Sequence, residues 1–428
     1  MANIKAQLVK LKQRGLGDIF FSSVFTELAS FIVSIFIVRM FTKDEYGYYA
    51  IAYNIYGYIS VFIGCGLSNG VLQYCSESRP EGQKNAIYSF CQKFGSVFNV
   101  GLLAIMPVLS FILLDGQPRY HFILMSGWPV VAYLSNYYLI RLRVIKDNRH
   151  FMLSNVISTL IFIFSAALLV NYVGIIGYIG ALYIKYIASF ILSYFFLRRR
   201  NNNYEIESIN RSFKLEIIKY SLVCCLTNFA SHILMLVDVT CVNYFIGEAA
   251  SVATYKTASQ IPVALIFIPS SIIVFAFPYI VENNTNFTWL NKNSKKLLAG
   301  VFGINLAVAL IVILFAPLIV KILWGERYLD AVAVLRILTV NFVITGSFNM
   351  VFGNIMVAIK KVNINLIKTV VCSCLNIVLD ILLLKAYGSI GAAYATLIVS
   401  CCSSSFAVLY FVFWIKNKQR NSSVEEKV

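Results

Sequence analysis

Glu27, Lys185, His232, Asp238, Lys256, Arg336, Lys368 and Asp380 all stand inside long apolar stretches of this sequence. An ionised side chain in hydrocarbon costs about 2.5–3.5 kcal/mol on insertion scales, so each needs a partner or a water-filled cavity. Their spacing groups them with other polar residues. Glu27 shares a helical face with Ser23, Ser30 and Ser34. Asn365, Lys368, Thr369, Cys372, Asn376 and Asp380 fall within about a third of one helix circumference. Tyr49, Tyr53, Tyr56 and Ser60 form a third stripe. Polar faces on several spans, in both halves of the chain, imply one shared aqueous cavity. The alternative is that Ser, Thr and Asn only join helices to one another. Carboxylates such as Glu27 and Asp380 are costly for that purpose.

Lys185 and Lys256 can present cations to a phosphate-bearing substrate. Lys185 sits near the middle of its span, whereas Lys256 is about five residues inside, roughly 7.5 Å, close enough to snorkel. Arg336 and Lys368 lie near span ends, where snorkelling and function are both open. His232 reads as a packed polar residue before a proton relay. Pro262, Pro269 and Pro278 bend one span, for gating or for packing. Glycine-rich phosphate loops, nucleophile elbows and His-Glu zinc motifs are absent from the sequence. Nothing in it points to a catalytic residue, a bound metal or a cofactor.

The elements that must carry these residues are transmembrane helices. The 428 residues are 59% hydrophobic and 13% charged, with a mean hydropathy of +0.76. Each crossing needs about 20 apolar residues. Twelve spans are expected: 18–41, 46–69, 87–114, 120–141, 151–171, 174–197, 217–246, 251–281, 297–321, 332–359, 362–385 and 389–415. The net charge of +17 would suggest nucleic acid in a soluble protein. Here the basic residues collect in alternate gaps, as the positive-inside bias demands, and no nucleic-acid partner is expected. One side gathers Lys5, Lys10, Lys12, Arg14, Arg79, Lys84, Lys93, Arg141, Arg143, Lys146, Arg149, Arg198 to Arg200, Arg211, Lys214 and Lys219, then Lys292, Lys295, Lys296, Lys360, Lys361 and the tail. The other keeps only Arg39, Lys43, Arg119, Lys321, Arg327 and Lys385. Both termini are therefore expected in the cytoplasm, with very short loops outside.

Ile4, Leu8 and Leu11, among Lys5, Lys10, Lys12 and Arg14, make a basic amphipathic stretch suited to an anionic leaflet. No cleavable leader is expected, because the first apolar run is too long and no small-residue cleavage site follows it. The ten cysteines fall mostly inside apolar runs and behave as small hydrophobes. The halves look repeated. Gly174-Ile175-Ile176-Gly177-Tyr178 opens the sixth span and Gly388-Ser389-Ile390-Gly391-Ala392 opens the twelfth; Glu45–Tyr49 faces Ser251–Tyr255 in the same way. Six spans per half make the repeats parallel, a transporter signature with the substrate between them. Residues 1–208 are expected to form an N-terminal six-helix bundle with a cytoplasmic linker, and 209–428 a C-terminal bundle with a cytoplasmic tail.

Phe41-Thr42-Lys43-Asp44-Glu45-Tyr46-Gly47, running into Gly64-Cys65-Gly66-Leu67-Ser68-Asn69-Gly70, resembles the first-repeat pattern of bacterial polysaccharide exporters. Asp238-Val239-Thr240, Tyr244-Phe245-Ile246-Gly247 and Ala253-Thr254-Tyr255-Lys256-Thr257-Ala258 match the same family's second-repeat pattern. Gly325 with Ala331 to Leu338, and Gly388 to Thr396, agree as well. Over nearly the whole chain the sequence is similar to the O-antigen flippases (Wzx type) of the multidrug/oligosaccharidyl-lipid/polysaccharide exporter superfamily. The resemblance implies an all-α integral membrane fold, about twelve helices in two parallel six-helix repeats around a central cavity, like the multidrug (MATE) exporters. It implies an undecaprenyl-pyrophosphate-linked oligosaccharide as substrate, turned from the cytoplasmic to the periplasmic leaflet of a bacterial inner membrane. Membrane lipids and other O-antigen assembly proteins are the further partners, and a proton or sodium gradient the driving force. On that reading Lys185, Lys256, Lys368 and Arg336 meet the pyrophosphate, and Tyr53 and Tyr56 the glycan. Glu27, Asp238 and Asp380 load the coupling cation. The sequence departs from the family in carrying lysines, rather than an arginine cluster, mid-membrane.

Two other readings compete. A multidrug cation antiporter of the same superfamily would want an acidic cavity, against Lys185 and Lys256. A membrane enzyme of O-antigen assembly would want a large outer loop or an intramembrane catalytic histidine, and neither is evident.

Overall fold

The computed structural model describes residues 16–77, 79–199, 207–359 and 361–425. The N-terminal amphipathic stretch and most of the central linker lie outside these residues. Among the described residues all regular structure is helical. The chain divides into two compact units, Met1–His232 and Ile233–Val428.

The first unit contains α1 (Leu16–Met40), α2 (Lys43–Ser60), α3 (Leu67–Ser76), α4 (Glu81–Leu113), α5 (Gly116–Met125), α6 (Trp128–Val144), α7 (Asn148–Val173) and α8 (Ile175–Arg198). The first half of α9 (Arg211–Ile246) completes it, and the division falls inside that helix. Helix α2 starts where Thr42 and Glu45 form a reciprocal capping box: Glu45 N–H donates to Thr42 Oγ1 (3.3 Å) and Thr42 N–H to the Glu45 carboxylate (2.9 Å). The expected second span is broken at Ile63–Gly66, where Gly64 and Gly66 have positive φ and Asn99 Oδ1 accepts the Gly64 N–H. Helix α7 packs along both α1 and α8, and α6 packs on α4 and α8.

The expected span 120–141 is two helices, α5 and α6, separated at Ser126–Gly127. Backbone groups freed in a membrane protein must be met by neighbours. Here one hydroxyl serves both sides of the break: Tyr183 OH donates to Leu124 O (2.7 Å) and accepts from Gly127 N–H (3.0 Å). A Cβ at Gly127 would lie 2.6 Å from that oxygen.

The second unit contains the rest of α9, then α10 (Ala249–Leu265), α11 (Phe267–Glu282), α12 (Phe287–Leu314), α13 (Ala316–Trp324), α14 (Ala331–Ile344), α15 (Met350–Ala358), α16 (Val362–Tyr387) and α17 (Ser389–Glu425). Pro269 has no N–H for the Leu265 carbonyl, and the helix breaks at that point, between α10 and α11. A π-helical turn, Thr345–Asn349, joins α14 to α15.

The repeat seen in the sequence has a backbone counterpart within each unit. Gly174 (φ +65°) and Gly388 (φ +60°) donate to Val170 O and Leu384 O at the same helix-ending position. Three residues on, a Cβ at Gly177 would lie 2.3 Å from Leu169 O, and one at Gly391 would lie 2.1 Å from Leu383 O. The following helix therefore folds back onto its predecessor in both places only because glycine stands there.

Among the described residues ten helices are long and apolar enough to cross a membrane, so the chain is a multi-pass membrane protein. The two expected spans outside this count are the broken 120–141 and the stretch 217–246. The latter lies within α9, of which Leu236–Ile246 qualifies as a shorter apolar helix.

Candidate functional site

In the first unit, tyrosines at positions 46, 49, 53 and 56 share one face of α2, because three- and four-residue steps keep them in register. Ring centroids follow one another at 6.1, 5.6 and 6.1 Å. Helix α6 sets Trp128 edge-on against Tyr56 (5.0 Å) and Tyr53 (6.3 Å), and α8 sets Tyr178 against Tyr49 (5.4 Å). Tyr49 and Tyr56 are each 5% exposed, whereas Tyr53 is 38% exposed. Tyr53 is thus the member of this cluster that offers a free face to a ligand, with the others as its backing.

Two charges accompany it. Lys185, half-buried on α8, holds its Nζ 5.1 Å from the Phe162 ring centroid. Glu27, on α1, is exposed, and its charge acts on both Tyr53 and Lys185. Thr26 and Thr159 are joined through their hydroxyls (3.3 Å), which ties α1 to α7 beside these groups. An accessible aromatic face, a cation and a carboxylate therefore share one region of the first unit.

The second unit holds a buried acidic cluster. Asp238 on α9 is 6% exposed and Asp380 on α16 is 0% exposed. Tyr255 OH (2.6 Å) and Thr396 Oγ1 (2.5 Å) donate to Asp238 Oδ2. Asn376 Nδ2 donates to Asp238 Oδ1 (2.8 Å) and to Asp380 Oδ2 (2.9 Å), so one amide bridges the two carboxylates. Asp380 Oδ1 has no hydrogen-bond partner among the described residues. Tyr255, Asn376 and Thr396, from α10, α16 and α17, thus surround the two acids, with the Cys241 thiol of α9 beside Asp380, a set suited to a proton or a hard cation. Among the described residues no group of three or more His, Cys, Asp and Glu is placed to hold a metal ion.

The other expected ligands stand apart from both clusters. Lys368 is 8% exposed, and its ammonium donates to Asn349 Oδ1 (2.5 Å) at the end of the π-helical turn. Arg336 is exposed, and its Nε donates to Ile313 O (3.2 Å) near the C-terminal end of α12, where carbonyls lack helical partners. Lys256 is half-buried on α10, next to Tyr255. His232 is exposed. The polar stripe of α16 meets protein at several points, Asn365 donating to Gly353 O, Lys368 to Asn349 and Asn376 to Asp238. The residues that sequence reasoning left without a role are Asn376, Tyr255, Thr396, Trp128 and Tyr178. Asn376 was visible on the α16 stripe, and Tyr255 and Thr396 in the family pattern, but nothing in one sequence said that they converge.

Comparisons relate the chain, by sequence and by fold, to known proteins. The family model described as "Polysaccharide biosynthesis protein" matches residues 14–284. A Shigella flexneri protein named "Putative O-antigen transporter" is 23% identical over 384 residues, 84% of this chain and 87% of that protein. An uncharacterised membrane protein of Methanocaldococcus jannaschii is 25% identical over 329 residues, 74% of this chain. A Haloferax volcanii protein named "Probable low-salt glycan biosynthesis flippase Agl15" is 19% identical over 216 residues, 49% of this chain. The matches span only 60% of the Methanocaldococcus protein and 44% of the Haloferax protein. Among solved structures, an inward-facing multidrug resistance MATE transporter of the MOP superfamily superposes with a TM-score of 0.81 at 16% identity, covering 93% of this chain and 96% of that one. The lipid II flippase MurJ, in an inward closed conformation, gives 0.75 at 17% identity, covering 93% and 87%. The fold is therefore that of the MOP-superfamily carriers, and by its sequence the chain belongs to the polysaccharide biosynthesis protein family.

Proposed function

We propose that this protein is a flippase for lipid-linked oligosaccharides, a transporter and not an enzyme. Its cargo is an undecaprenyl-pyrophosphate-linked repeat unit of O-antigen or a related polysaccharide. It moves that unit from the cytoplasmic to the periplasmic leaflet of a bacterial inner membrane by alternating access, with both termini in the cytoplasm. The observation that carries this reading is Lys185, held against the Phe162 ring and sharing the field of Glu27 with the exposed Tyr53, in a family of polysaccharide biosynthesis proteins. A pyrophosphate cannot cross hydrocarbon unshielded, and a half-buried ammonium offers it a point charge while an aromatic face receives a sugar. Lys256 stands as a further cation available to phosphate.

Asp238 and Asp380 are the groups through which a proton or sodium ion drives the cycle, because two clustered acids bind a cation well and their network spans four helices. Glu27 is a further acidic group that a cation can neutralise. The multidrug-antiporter alternative draws on the same acidic pair and on the MATE-like fold, but it leaves Lys185 without a role.

Deletion of the gene in its native host tests the reading. Loss of surface polysaccharide, with completed repeat units retained on their carrier at the cytoplasmic face, is expected. Repeat units that reach the periplasm and fail to polymerise would favour an assembly enzyme. Unchanged surface sugar with altered drug tolerance would favour the antiporter.

A further inference from the structure

Helix α3 and the first half of α9 meet at a glycine seam. A Cβ at Gly66 would lie 2.2 Å from Ser221 O, and one at Gly70 would lie 2.5 Å from Ser221 Oγ. The spacing of these glycines, four residues apart on one face, is the small-residue pattern that lets membrane helices approach closely. Two bonds fix the pair on either side: Cys225 Sγ to Val61 O (3.3 Å) and Tyr74 OH to Glu216 Oε1 (3.1 Å). Beside the seam the two helices leave an open groove of about 310 Å³, lined by Leu72 and Val223 as well as by the polar side chains of Asn69, Gln73, Thr227 and Asn228, with Tyr220 and Cys224.

The lining has a definite chemistry. It contains no Lys, Arg, Asp or Glu. Its three amides each carry donors and an acceptor, the complement of a hydroxylated, uncharged ligand. Tyr220 is 37% exposed and held edge-on by Tyr74 at 5.6 Å, which presents an amphipathic ring at the side of the groove. Gln73 is oriented from outside: its Nε2 donates to Glu77 Oε1 (3.3 Å), and Glu77 is bonded in turn by Arg79 (2.7 Å). The Arg79 guanidinium keeps the Glu77 carboxylate below its ordinary range, so the anchor is charged at neutral pH. A phosphate would find no cation among the lining side chains. The volume lies at the small end of ligand sites.

We propose that the α3–α9 groove is a sugar-recognition site, which receives an uncharged sugar of the lipid-linked glycan and selects the cargo before it is turned over. This rests on the flippase reading, and on the charge-derived topology that puts the end of α3 and the start of α9 at the cytoplasmic face.

The native thiol of Cys224 reports on the groove. In a full-length variant retaining Cys224 as its single cysteine, maleimide labelling is followed in membrane vesicles. The competitors are the host's own extracted lipid-linked repeat unit and undecaprenyl pyrophosphate. At ten times its dissociation constant, the glycan-bearing lipid should slow labelling about tenfold, while undecaprenyl pyrophosphate leaves it unchanged. Equal slowing by both would overturn the proposal, as would no slowing by either in a variant that still restores surface polysaccharide to the deletion strain. If the single-cysteine chain fails to restore it, Gln73→Leu and Asn228→Leu in the otherwise unaltered protein decide the matter. Export of the native repeat unit should fall at least about tenfold with membrane levels unchanged, and full export by both would reject the site. Failure of the flippase reading itself is seen separately, as a deletion strain with normal surface sugar.

Discussion

Replacing Asp380 by asparagine tests the coupling site most directly. Asn376 Nδ2 lies 2.8 Å from one acid and 2.9 Å from the other, so the two accepting oxygens are no more than about 6 Å apart. With both carboxylates ionised, their repulsion at an effective dielectric of 20 is roughly 3 kcal/mol. A bound proton or sodium ion removes it. Asp380→Asn keeps the size of the side chain and deletes one charge, so the ion-free protein should lose that repulsion and melt no lower than the wild type. Ligand-dependent stabilisation should vanish at the same time. For the wild type, a driving ion at a hundred times its dissociation constant should add about 2.7 kcal/mol. The assay is thermal unfolding of the purified protein in detergent, with sodium exchanged for choline and pH varied, together with restoration of surface polysaccharide in the deletion strain. The reasoning is refuted if wild-type melting ignores both sodium and pH, or if Asp380→Asn transports normally with its ion response intact.

Other outcomes follow from the same geometry. Lys185→Ala should abolish translocation without lowering membrane levels, and Lys185→Arg should keep part of it; lipid-linked intermediates in the cytoplasmic leaflet measure both. Tyr53→Ala should weaken glycan-lipid binding by roughly 0.5–1.5 kcal/mol while Tyr53→Phe leaves it near normal, in binding assays on the purified protein. Glu27→Gln and Asp238→Asn should each depress surface polysaccharide at normal expression; if both leave it intact, the carboxylates do not couple transport. Gly127→Ala should cost about 1–3 kcal/mol in thermal stability, because its Cβ meets the Tyr183 hydroxyl that holds the α5–α6 break.

What could be read in advance was whatever the local chain dictates. Gly174 and Gly388 stand out in a sequence because a positive φ strongly favours glycine, so the repeat is legible from residue types alone. The tyrosine stripe of α2 is legible for a similar reason, since helical periodicity assigns residues to a face whatever that face meets. The broken span 120–141 was not legible. Ser126 and Gly127 are ordinary in a membrane helix, and the break depends on Tyr183, more than fifty residues away, to satisfy what it exposes.

The buried cations show the same limit more sharply. A lysine or arginine within an apolar run must find compensation, but the sequence does not say whether protein or cargo supplies it. For Lys368 the protein does, through Asn349, and for Arg336 it does for one of five N–H groups, through Ile313; among the described residues Lys185 has an aromatic face and the field of Glu27 at hand. A basic residue already satisfied within the fold gains little by meeting a phosphate, whereas one held against a ring has hydrogen-bond donors still to place. On the proposed flippase reading, phosphate recognition therefore falls chiefly on Lys185, where the loss on substitution should be greatest.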